Sequence, residues 1–196
     1  MTDPTDPFAL LASDRAHARA ARDPWADLCV LATVEGTQPH ARTLVLRDVD
    51  SRPAIFINET SPKHAQIRAT PDVTVLVYLA SRGVQYRLQG VLEPIAREIV
   101  HAHWRARPRI PKVMDYFYRE SSPQSTVIHS REALESGHAT IDARLGEDPH
   151  APDEASGHFI VASTVERLVL ASDRIHDRVR FRRAADESWV REILVP

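Results

Sequence analysis

Glycine is scarce in this sequence, with six in 196 residues. Phosphate loops built on glycine are missing with it, since neither GxGxxG nor GxxxxGK[ST] occurs. A GxSxG nucleophile elbow is absent as well. Cysteine is nearly absent: Cys29, inside "LCVLATV", is the one thiol, which excludes an internal disulfide and a cysteine zinc site. A small buried hydrophobe is the role expected for it. Charge of one sign is also lacking. With 25 Lys+Arg, 27 Asp+Glu and a net charge of −2, the bulk electrostatic case for nucleic acid falls away. No apolar run reaches the length of a membrane span. The start, "MTDPTDPFALLASDRAHA", lacks the basic-then-apolar order of a signal peptide. A cytoplasmic protein that binds neither nucleic acid nor membrane is expected. Ten histidines are present without HExxH, and His101 and His103 fall on different faces of a helix, so no metal site is expected.

What is present is an ordinary globular composition, 43% hydrophobic and 27% charged, enough for a single domain over residues 1–196. An Ala-rich helix is expected within 1–24, closed by Pro24. Strands separated by short turns follow over 26–95, with a helix after Ser61-Pro62 that Pro71 stops. Residues 96–145 read as a helical insert broken by Pro108, Pro111 and Pro123. After an acidic loop over 146–157, residues 158–196 return to strands: "HFIVAST", "VERLVLA", "RIHDRVRFRR" and "SWVREILVP". Strands linked by turns rather than by regularly alternating helices indicate a mainly β fold, an antiparallel barrel with peripheral helices.

Three stretches carry candidate chemistry. "SDRIHDRVRFRR" (172–183) holds five arginines. Read with period two, it is a half-buried strand with Arg174, His176, Arg178, Arg180 and Arg182 on one face. Such a face is either solvated surface or the wall of an anion site. Arg42 stands in an apolar strand, where a buried guanidinium needs a partner. Lys63 follows Ser61 and Pro62 in the first turn of a helix, where it opposes the dipole unless an anion binds there.

In order and spacing, "RTLVLRDVD", "SPKHAQIRATPDV", "VQYRLQGVLEP", "WRARPR", "QSTVIHSREALE", "RIHDRVRFRR" and "SWVREILVP" resemble the pyridoxamine 5′-phosphate oxidase family. The resemblance runs from about Ala41 to Pro196. It implies an FMN-binding split β-barrel, Greek-key-like, working as a homodimer on a phosphorylated small molecule. Arg42, Ser61 and Lys63 would hold the FMN phosphate, and Gln85 the flavin ring. Gln124 and Ser125 would come from the partner subunit, and Arg178 would reach the flavin edge. Arg47, His103 and Arg107 fall at the substrate-phosphate positions. Arg174 and His176 fall at those of the catalytic pair that covers the substrate ring. The implied reaction passes a hydride from the substrate C4′ carbon to flavin N5, with reoxidation by oxygen. Departures are visible: Pro62 replaces a phosphate-binding arginine, Arg47 a lysine, His103 a tyrosine and Leu170 an aromatic. They leave open a split-barrel oxidoreductase with another substrate. A non-catalytic flavin or haem carrier is the alternative from a different class.

Overall fold

The computed structural model describes residues 6–196. It contains five α-helices and nine strands in the order α1 (Pro7–Ala20), β1 (Leu28–Glu35), β2 (Gln38–Val45), β3 (Arg47–Val49), β4 (Arg52–Asn58), α2 (Pro62–Ala69), β5 (Val73–Leu79), β6 (Val84–Pro94), α3 (Arg97–Arg105), α4 (Arg109–Glu120), α5 (Arg131–Arg144), β7 (Ala155–Val169), β8 (Asp177–Arg183) and β9 (Trp189–Ile193). The strands form one sheet ordered β2-β1-β5-β6-β7-β4-β3, with β8 added to β7 and β9 to β8. The pairs β1–β2, β1–β5, β3–β4, β5–β6, β7–β8 and β8–β9 are all antiparallel.

Local chemistry explains most boundaries. Asp6 caps α1 by accepting from Phe8 N at 2.9 Å, and Pro7 opens the helix where no N–H is needed. Gly36, at φ 60°, supplies the left-handed turn between β1 and β2. Pro111 was expected to break the helical insert, yet it lies in the first turn of α4, where a missing N–H costs nothing. "HFIVAST" and "VERLVLA", expected as two strands, form the single strand β7, because no turn residue interrupts them. The Arg-rich stretch is a strand only from Asp177 onward. Ahead of it, Asp173 accepts from Ile175 N at 2.9 Å and Arg174 sits at φ 70°, so a side-chain turn displaces the strand. Ile175, expected on the buried face, is 77% exposed, whereas Val179 and Phe181 are buried.

The chain divides into two compact units: Met1–Ile55, Ala69–Glu93 and Phe159–Pro196 form the first, and Phe56–Arg68 with Pro94–His158 the second. The first has a core of inward strand residues, including Leu31, Val75, Val77, Tyr86, Leu88, Val165 and Phe181. Gly90 is obligatory there, because a Cβ would lie 2.1 Å from the Val161 carbonyl oxygen. Helix α1 is tied on by charge. Asp14 accepts from the Tyr86 hydroxyl at 2.7 Å, Arg82 at 2.9 Å and Arg167 at 3.0 Å. Cys29 is buried, and desolvation pushes its thiol up to about 12. The second unit packs around Val113, Phe117 and Ile141. No helix among the described residues is long and apolar enough to cross a membrane.

His158, at the start of β7, is buried, and its Nδ1 has no hydrogen-bond partner among the described residues. Burial, with help from the nearby His64, lowers its pKa from 6.5 to about 4. The folded chain thus holds it neutral at pH values where the unfolded chain protonates it. Its contribution is complete above the unfolded value and is lost as pH falls toward the folded one, a change of roughly 3 kcal/mol at most. Urea unfolding from pH 7 to pH 4 should show this loss, and His158→Gln should flatten it. An equal slope in both proteins would remove His158 as the cause.

Candidate functional site

The candidate residues fall into two groups, one in each unit. In the second unit, the turn between β4 and α2 is knit by Asn58. Its Oδ1 accepts from Thr60 N at 2.9 Å and from the Thr60 hydroxyl at 2.6 Å. Ser61, just ahead of α2, donates its hydroxyl to the Asn58 carbonyl at 2.6 Å, which closes the same turn. Lys63 follows in the first turn of α2 and is only 9% exposed. Its ammonium donates to Gln124 Oε1 at 2.8 Å, across 61 residues of chain. Gln124 N in turn donates to the Thr60 hydroxyl at 3.4 Å. The resemblance implies that Gln124 reaches FMN from the partner subunit; within one chain it meets Lys63. Ser125, beside them, is exposed and held at φ 70°.

The same polar chain runs on. Asn58 Nδ2 donates to Asp115 Oδ1 at 3.2 Å, and Arg107 donates to Asp115 Oδ2 at 2.6 Å. Arg107 also lies over the Trp104 ring, 5.1 Å from its centroid. His103 stacks on Phe56 with centroids 4.8 Å apart. The Lys63 and Arg107 positions, separate in the sequence reading, are thus joined through Gln124, Thr60, Asn58 and Asp115. Burial, then the Asp115 carboxylate, push the Tyr118 phenol above its ordinary value, while its bond to Gln124 works the other way.

The first unit carries the remaining candidates. Arg42, on the sheet-end strand β2, is half-buried rather than enclosed, and desolvation lowers its pKa. It donates to the Leu31 carbonyl at 3.1 Å and the Thr33 hydroxyl at 2.7 Å. Arg47 is exposed on β3, with its Cα opposite that of Ala54. Gln85 shares one face of β6 with Arg87, as the alternating burial shows. Arg87 and Arg178 grip the two oxygens of Glu166, at 2.6 and 2.8 Å. Burial would raise the Glu166 pKa, but these two guanidiniums outweigh it and hold the carboxyl below its ordinary value. Arg174 and His176 do not share a strand face. Both precede β8, Arg174 is exposed, and His176 Nδ1 accepts from Ala171 N at 3.0 Å, which leaves the proton on Nε2. Arg180 and Arg182 both bond Glu192 of β9, as a solvated ion-pair face would.

Asn58, Thr60 and Asp115 escaped the sequence reading. Asn58 followed by Thr60 ahead of a helix is a readable Asx-turn signal. Asp115, a lone carboxylate in the aromatic run "MDYFY", is a readable anomaly on a helix whose neighbouring positions are apolar. Glu166 and Arg87 had no such signal, since a charge in a strand is ordinarily solvent-facing.

A continuous antiparallel sheet with helices after β4 and β6 defines a protein of the split β-barrel class. The sequence profile described as pyridoxamine 5′-phosphate oxidase matches residues 20–143, and the chain belongs to that family. It is 32% identical over 198 residues to pyridoxine/pyridoxamine 5′-phosphate oxidase of Pseudomonas putida (strain W619), covering 98% of this chain and 90% of that protein. The Bordetella avium (strain 197N) protein of the same name is 31% identical over 195 residues, covering 98% and 89%. Among solved structures, PhzG from Burkholderia lata 383, in complex with tetrahydrophenazine-1-carboxylic acid, superposes with a TM-score of 0.89 at 26% identity, covering 100% of this chain and 95% of that one. A pyridoxamine 5′-phosphate oxidase-related, FMN-binding protein of Nostoc punctiforme PCC 73102 shares the fold, with a TM-score of 0.77 at 19% identity, covering 99% and 100%.

Proposed function

We propose that this protein is an FMN-dependent oxidoreductase that takes a hydride from a small heteroaromatic substrate and passes the electrons to oxygen. The observation that carries this reading is the Lys63–Gln124 contact at 2.8 Å. Two residues assigned to the cofactor for separate reasons meet at a helix start. The donor set fits the cofactor's phosphate: the buried Lys63, its ammonium facing a neutral amide oxygen at a helix start, accommodates an anion. Family membership and the FMN-binding relative of the same fold support the choice of flavin.

When bound, FMN supplies the hydride acceptor and the route to oxygen. The chain's residues bind and orient. Lys63 and Gln124 take the phosphate, with Thr60 and Asn58 fixing Gln124 through its backbone. Gln85 offers a half-buried amide for the flavin ring. The Glu166 carboxylate sets the direction of Arg178. His176, with its proton on Nε2, can donate to a substrate heteroatom, and Arg174 and Arg47 are exposed cations for an acidic substituent. A homodimer belongs to this proposal. Trp25, Val45 and Tyr78, exposed at 46%, 45% and 42%, support it as apolar surface that a second copy would cover.

The names of the curated relatives make pyridoxamine 5′-phosphate the reference substrate. A second reading, a substrate without phosphate, is favoured by the carboxylate against Arg107. Purified protein should release FMN on denaturation, and a sedimenting dimer should carry two per pair of chains. Its flavin should bleach anaerobically with a reducing heteroaromatic amine or alcohol and recover in air with release of peroxide. Absence of flavin, or a haem spectrum in its place, overturns the proposal, and a bound flavin that no substrate reduces converts the protein to a carrier.

A further inference from the structure

Arg107 is one of the three residues implied for a substrate phosphate, with Arg47 and His103, and it is already bonded to a carboxylate. Asp115 is 6% exposed, and both its oxygens are used, one by Asn58 and one by Arg107 at 2.6 Å. The Arg107 side chain is 32% exposed, so the acid lies behind it and the open side of the guanidinium remains available. Among the described residues, Asp115 forms its ion pair with Arg107 alone. Lys112, the buried cation of α4, is committed to the Arg105 carbonyl at 3.0 Å and lies 3.8 Å from Asp148. His103 presents a ring stacked on Phe56.

Two consequences follow from elementary electrostatics. The ion pair has no net charge, so its attraction for a distant dianion is small. Close in, a phosphate monoester adds two negative charges beside a carboxylate that is buried and screened poorly. A carbonyl, a hydroxyl or a single carboxylate pays much less of that repulsion and still takes an N–H from the oriented guanidinium. We propose that Asp115 sets the substrate class: it orients Arg107 and cancels its charge, so that the site takes a small aromatic heterocycle without a phosphate in preference to a phosphorylated one. This rests on the oxidoreductase reading above, in which Arg107 faces the substrate, and Asp115 acts through Arg107 as a positioning residue.

The test is a ratio of affinities, which a merely structural role for Asp115 would not move. Binding of pyridoxamine 5′-phosphate and of pyridoxamine to the FMN-loaded protein is measured by calorimetry, in the wild type and in Asp115→Asn. The wild type should bind the phosphorylated compound no more tightly than the other. Asp115→Asn, which keeps the shape and removes the charge, should shift the ratio toward the phosphorylated compound by about tenfold or more. Asp115→Ser provides the same reading if the asparagine variant does not fold. A wild type that favours the phosphorylated compound tenfold overturns the proposal, as does a ratio that the substitution leaves unchanged or lowers. Absence of binding by either compound in all variants overturns it too. Each of these leaves the oxidoreductase reading standing, whereas a wild type that takes up no FMN defeats that reading and this proposal with it.

Discussion

Lys63→Met should weaken FMN binding by roughly 2–5 kcal/mol, the usual cost of truncating one partner of a buried charged contact. In affinity this is about 30-fold to several thousand-fold. Lys63 is only 9% exposed, so solvent is a poor substitute for its ammonium. Gln124→Ala removes only a neutral hydrogen bond and should cost less, about 0.5–1.5 kcal/mol. Fluorescence titration of apoprotein with FMN measures both, and far-ultraviolet circular dichroism establishes that each variant is folded. A folded Lys63→Met protein with wild-type affinity would remove the Lys63–Gln124 corner from the cofactor site.

Arg15→Met should lower the unfolding free energy by about 3–5 kcal/mol. Arg15 is fully buried beneath α1, where it donates to the Ala26 carbonyl at 3.0 Å and the Leu46 carbonyl at 3.0 Å. It also pairs with Asp48, and with Asp27 at 3.1 Å. Burial draws its pKa below the ordinary value, while Asp48 and then Asp27 oppose that shift. The two aspartates are partly exposed and regain water when Arg15 is lost, so most of the cost comes from the two orphaned carbonyls and the misfit of a shorter chain. For a chain of this length, about 3 kcal/mol corresponds to roughly 6–12 °C in Tm. Thermal and urea unfolding measure it, and a change below about 1 kcal/mol would show that α1 docks without help from Arg15.

Much of the secondary structure was legible because its causes are local. Alternation in β1, β5 and β6 repeats every two residues, and Pro62 and Pro71 bracket α2 within one short window. Where a local reading failed, a competing local bond or an end effect had won. The Asp173 side chain turns the chain ahead of β8, and Pro111 falls in the one turn of α4 that tolerates it. The candidate site was legible only as a roster, in which the family resemblance named Lys63, Gln124 and Arg107. Their electrostatic state was not, because charge at a site is a sum over neighbours that sequence spacing does not reveal. The sequence by itself determined a strand-rich, glycine-poor chain with cations at a helix start and on an Arg-rich segment. Only the tertiary structure decided that Lys63 meets Gln124 across 61 residues and that Arg178 and Arg107 each answer to a carboxylate, Glu166 and Asp115. The physical reason is range: periodicity and capping act within a few residues, whereas desolvation and Coulomb pairing depend on which distant groups the fold brings within a few ångströms.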